Sequence, residues 1–118
     1  MTELGDLTAT QLLAGYATRD FSPVEATRAV LDRIEQVEPA VNAFVRVDAE
    51  GALARAAESA DRWRRGEPAG LVDGVPVSVK DILLLKGGPT LRGSRTVPAG
   101  DPGSWTEDAP AAARLREH

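Results

Sequence analysis

Lys80 closes the apolar run Val75-Pro76-Val77-Ser78-Val79 and is followed by Asp81 and then by a stretch dense in glycine and proline. As a strand over about 75–80, the run alternates Val75, Val77 and Val79 on one face with Pro76, Ser78 and Lys80 on the other. Lys80 and Asp81 then point in opposite directions, so Asp81 is not automatically the partner of the lysine. A lysine at the C-terminal end of a strand, leading into a Gly/Pro-rich loop, stands where open α/β sheets place their sites. Burial there would penalise the ammonium, and a neutral amine can act as a general base. On strand pattern alone the alternative is a lysine that snorkels to water from a strand end.

The other reactive side chains form no such arrangement. Ser78 lies two residues before Lys80 on the same strand face, while Ser94 and Ser104 fall in loops. None of the three is placed to be a nucleophile, although Ser94 could shape a site through its loop. His118 is the single histidine and is terminal. Asp73, Asp81, Asp101 and Asp108 fit turns and helix caps better than a metal shell, and Trp63 and Trp105 fit core or loop anchors. Without cysteine, the chain forms neither a disulfide nor a thiolate metal site.

Positioning Lys80 requires a scaffold, and 118 residues with 42% apolar and 27% charged content have ordinary globular composition. The 14 basic and 18 acidic residues leave a net charge of −4 with no dense basic patch, so direct nucleic-acid binding is not expected. The N-terminus carries acidic residues where a secretory signal would be basic, and no apolar run has membrane-spanning length. The default expectation is a cytoplasmic protein that does not contact a membrane.

Thr8-Ala9-Thr10-Gln11 has capping-box form and predicts a helix over about 9–18. Ser22-Pro23-Val24-Glu25 does so more strongly, with a stripe of Val24, Thr27, Val30, Leu31, Ile34 and Val37 and a stop at Glu38-Pro39, giving a helix over about 23–38. Ala43 to Val47 has the composition of a short strand, and Asp48 is placed to cap a helix over about 49–65 that ends at Gly66. Arg62, Arg64 and Arg65 at its end read as a solvated, dipole-complementing turn. Residues 86–105 read as loop, and Asp108-Ala109-Pro110 opens a helix over about 109–117 that runs to the chain end. Helices flanking a valine-rich strand call for a sheet, so the expected class is α/β, with the sheet completed by residues beyond 118 or by another chain.

The string Gly74-Val75-Pro76-Val77-Ser78-Val79-Lys80-Asp81, followed by Gly88-Pro89-Thr90 and Gly93-Ser94, resembles the segment around the catalytic lysine of the amidase signature family. The opening LTATQLL, the stretch SPVEATRAVLDRIEQVEPAVNAFV and the closing DAPAAARLREH resemble the first part of such enzymes in the same order. Leu83-Leu84-Leu85 after the lysine, and Leu91-Arg92 where a second threonine often stands, depart from the common wording and bear on the loop alone.

The resemblance implies that residues 1–118 are the N-terminal part of a single amidase domain, whose mixed central sheet is covered by helices and is incomplete here. It implies a Ser-cisSer-Lys triad that hydrolyses the C–N bond of a carboxamide to acid plus ammonia or amine. Lys80 would be the only triad member in this chain, because the Gly/Ser-rich segment with both serines and the oxyanion-hole amides would follow His118. The chain alone is then expected to be inactive. No metal or organic cofactor is implied; the substrate is a small amide, and a homodimer is one possible assembly. A second implied reading is the glutaminase subunit of a tRNA-dependent amidotransferase, which works with partner subunits. A third, of another class, is a non-catalytic structural module.

Overall fold

A computed structural model describes residues 3–118, and the described chain divides into two compact units, one reaching Pro76 and the other running from Val77 to His118. Among the described residues the regular structure is helical: α1 (Ala9–Thr18), α2 (Pro23–Val41), α3 (Ala49–Arg64) and α4 (Pro110–Glu117), with 3-10 turns at Leu4–Asp6 and Pro102–Ser104.

In the first unit, local chemistry sets the helix starts. Thr8 and Ser22 each accept from the backbone amide three residues on, and Gln11 and Glu25 accept in return from the Thr8 and Ser22 amides, so both capping boxes are complete. Asp48 accepts from Gly51 at the start of α3. At its end, Gly66 adopts φ 71, its amide donates to Trp63 and the Glu67 amide donates to Arg62, which closes the helix in a Schellman pattern. The core gathers on Tyr16, 2% exposed, with Leu12 and Ala26, and Leu7, Leu13, Phe21, Trp63 and Val75 pack against it. Phe21 meets the Tyr16 ring edge-on at 5.7 Å. α1 approaches Phe21 so closely that a Cβ on Gly15 would lie 2.1 Å from its ring, which is why glycine stands there.

Three expectations from the sequence are corrected by the structure. The expected α/β class is overturned, because neither 75–80 nor 43–47 forms a strand and no sheet exists among the described residues. A strand is a property of a pair: β-branched residues favour extended backbone, but without a neighbour to accept and donate, no ladder forms. In 43–47 the apolar side chains are also in water, with Val45 64% exposed. Second, α2 does not stop at Glu38-Pro39 but continues to Val41, where Asn42 turns left-handed at φ 47 and donates its amide to Glu38. Proline removes one hydrogen bond from a helix interior, and so near a terminus that loss does not end the helix before its left-handed cap. Third, Arg62 is not part of a solvated end, as the geometry around Asp73 shows.

The second unit is mostly loop, stapled by polar groups. Asp108 accepts from the Lys86 amide at 2.7 Å and pairs with Arg116 of α4 at 2.7 Å. The Gly87 amide donates to Trp105, whose indole donates to Ala99, and Ala109 donates to Leu84. These bonds satisfy backbone groups that the irregular path would leave unpaired.

Candidate functional site

Lys80 lies in the second unit, exposed, at the start of a turn in which its carbonyl accepts from the amides of Ile82 at 2.8 Å and Leu83 at 3.0 Å. The backbone of the lysine is therefore fixed while its amine is in solvent. Among the described residues no hydrogen bond joins Lys80 to Ser78, Ser94 or Ser104. Ser78 is exposed, the Ser94 hydroxyl is 2.7 Å from that of Thr96, and the Ser104 hydroxyl donates to the Asp101 carbonyl at 2.6 Å. Ser94 and Ser104 thus serve their own turns, and the structure does not bring the serines to the lysine.

Asp81 does what sequence reasoning left open. Its half-buried carboxylate accepts from the Leu91 amide at 2.9 Å and from the Gly93 amide at 3.1 Å. Between them Arg92 is held at φ 56, with Gly93 at φ 65. A non-glycine residue in the left-handed region is uncommon, and here two amide bonds to a carboxylate accompany it. Thr90, 3% exposed, donates its hydroxyl to the Leu83 carbonyl at 3.1 Å. The segment 81–83 is in this way tied to 90–93.

In the first unit, the strongest polar cluster surrounds Asp73. Its buried carboxylate receives Arg62 through Nε and Nη2, both at 2.7 Å, and the Ala69 amide at 2.8 Å. Burial works against the charged carboxylate, but the Arg62 guanidinium and the Ala69 amide outweigh it and hold the acid down at about 2. The adjacent carbonyls are also held: Trp63 donates its indole N–H to Asp73 at 3.0 Å and Tyr16 its hydroxyl to Gly74 at 2.9 Å. Burial pushes the Tyr16 phenol up to about 12. The pairing of α3 with the Gly70–Gly74 turn had one sequence signal, an aspartate before a glycine that needs positive φ, but nothing local named Arg62 as its partner.

No group of three or more His, Asp and Glu residues is placed to hold a metal among the described residues. No helix there is long and apolar enough to cross a membrane. His118 is exposed at the chain end.

The family model for amidases matches residues 25–118, a span that contains both the Asp73 cluster and the Lys80 turn. The chain belongs to the amidase family. Among curated proteins, it is 52% identical over 93 residues to the A-subunit of the glutamyl-tRNA(Gln) amidotransferase from Myxococcus xanthus, covering 79% of this chain and 19% of that protein. It is 47% identical over 95 residues to the protein of the same name from Salinispora tropica, with 80% and 19% covered, and 41% identical over 95 residues to that from Chloroflexus aurantiacus, with 80% and 20% covered. The chain thus spans about a fifth of the length of these relatives.

Proposed function

We propose that residues 1–118 are the N-terminal part of an amidase domain that cleaves the C–N bond of a carboxamide, with Lys80 as its base. The observation that carries this reading is the placement of Lys80 in the Gly74–Asp81 string inside the matched span 25–118. In the proposed Ser-cisSer-Lys chemistry, the neutral amine of Lys80 draws a proton through a bridging serine while a second serine attacks the amide carbon; ammonia or an amine leaves, and water then releases the acid. Both serines belong to residues outside this chain. The exposed amine would be charged in water, so this step requires Lys80 to be shielded from solvent when the proton moves.

A second reading within the same chemistry takes the amide as the side chain of glutamine and the protein as the glutaminase subunit of a tRNA-dependent amidotransferase. It is favoured by the 41–52% identity to proteins that carry that name. The test is ammonia release by the longer protein containing this chain, from glutamine and from simple aliphatic and aromatic amides, alone and with amidotransferase partner subunits. Release from simple amides without partners supports the general amidase. Glutamine hydrolysis that depends on the partners supports the amidotransferase reading, and no release under any condition removes both.

A further inference from the structure

Resting on the reading of Lys80 as base, we infer that Asp81 is a positioning residue for it, acting through the backbone of the 81–93 loop. The Lys80 turn is short, and only its carbonyl is tied locally, to Ile82 and Leu83. Everything else that restrains it comes from the far side of the loop: Leu91 and Gly93 donate to the Asp81 carboxylate, and Thr90 donates to Leu83. Two of these three bonds end on one charged group, and hydrogen bonds to an ionised acceptor are roughly twice as strong as neutral ones.

The chemistry of the clamp is specific to a carboxylate. Both incoming groups are N–H donors, and an ionised carboxylate is acceptor-only, so each oxygen takes one donor. An amide in its place could accept one and would turn its NH2 toward the other. Arg92 sits between the two donors in a left-handed conformation, at φ 56, which costs a side-chain-bearing residue on the order of 1 kcal/mol. Release of the carboxylate therefore frees the loop to relax away from the Lys80 turn. The lysine would remain present and chemically intact, but its amine would sample a wider volume. Misplacing a reacting group by about an ångström can lower a rate about a hundredfold, without a matching loss of substrate binding.

The experiment compares Asp81→Ala, Asp81→Asn and Lys80→Ala in the longer protein containing this chain, with kcat expressed per reactive serine counted by fluorophosphonate labelling. That count removes any loss due to unfolded protein. Asp81→Ala should lower kcat by at least about tenfold with KM changed less than about threefold, and Asp81→Asn should fall between it and the parent. Hydrogen exchange on the 118-residue chain should show faster exchange at the Leu91 and Gly93 amides in Asp81→Asn. If Lys80→Ala abolishes turnover while Asp81→Ala and Asp81→Asn keep kcat within twofold, the positioning role is overturned and the base survives. If Lys80→Ala stays active, both fall. Should Asp81→Ala not fold, Asp81→Asn decides by the same readings, and unchanged exchange with unchanged kcat overturns the role.

Discussion

The Tyr16 hydroxyl of α1 donates to the Gly74 carbonyl at 2.9 Å across 58 residues of sequence, so the most buried aromatic ring of the first unit also anchors the Gly70–Gly74 turn. Removing only the hydroxyl separates the two roles. Tyr16→Phe should keep the ring packing and cost about 1 kcal/mol, the usual net worth of one hydrogen bond, read as a lower urea midpoint of the 118-residue chain at unchanged slope.

The same phenol predicts how the chain meets alkali. Its acid constant is raised to about 12 by burial, above the ordinary value near 10, so the neutral form is favoured in the folded state. The resulting stability is fully present below pH 10 and is lost as pH rises through 12. Urea midpoints measured from pH 8 to 12 should therefore decline above pH 10 in the parent and decline less in Tyr16→Phe. Equal declines would mean that Tyr16 ionises without unfolding cost.

Asp73 sets the acid limit. With its folded value held at about 2 against 3.8 unpaired, its contribution is present above pH 3.8 and disappears as pH falls through 2. The size is about 2 kcal/mol. Arg62→Ala leaves that carboxylate buried without its main partner, and should cost about 3 kcal/mol at neutral pH, near the lower bound for a broken buried pair because Arg62 is 31% exposed. Denaturation of Arg62→Ala and Asp73→Asn between pH 2 and 7 checks this: in Asp73→Asn the acid-dependent loss between pH 4 and 2 should shrink.

Gly74 is required by both conformation and space. It adopts φ 87, and a Cβ there would lie 2.6 Å from the buried Ser59 hydroxyl oxygen and 2.9 Å from Pro23. Gly74→Ala should destabilise by about 2 kcal/mol or more, since strained backbone and overpacking add. Gly66→Ala has the left-handed φ but open space around it, so it should cost only about 1 kcal/mol. Comparison of the two thermal midpoints tests whether the close approach, beyond backbone strain, matters at position 74.

Helix starts were legible because their chemistry is local. Thr8 with Gln11, Ser22 with Glu25, and Asp48 each satisfy orphan amides within three residues, and the structure begins α1, α2 and α3 there. Illegible features depend on partners far along the chain. A strand at 75–80 needs a neighbour that composition cannot supply, and Arg62 looked like one of three solvated cations until the turn returned Asp73 to it. Asp81 is intermediate: its type announced a turn, but the turn it closes lies 10 and 12 residues downstream. Lys80 itself was singled out by the string around it, and the structure adds the fixed backbone turn from which it projects.

The assignment of Lys80 as base is tested most directly by turnover of a small amide across pH in the longer protein, comparing the parent with Lys80→Ala and Lys80→Arg, with folding verified by circular dichroism. Loss of a general base should lower kcat at least about a hundredfold in Lys80→Ala. Lys80→Arg should do little better, because a guanidinium stays protonated and cannot accept a proton at working pH. A folded Lys80→Ala enzyme that turns over within a few-fold of the parent, with Lys80→Arg the milder change, would contradict the assignment and leave Lys80 as a solvated turn residue.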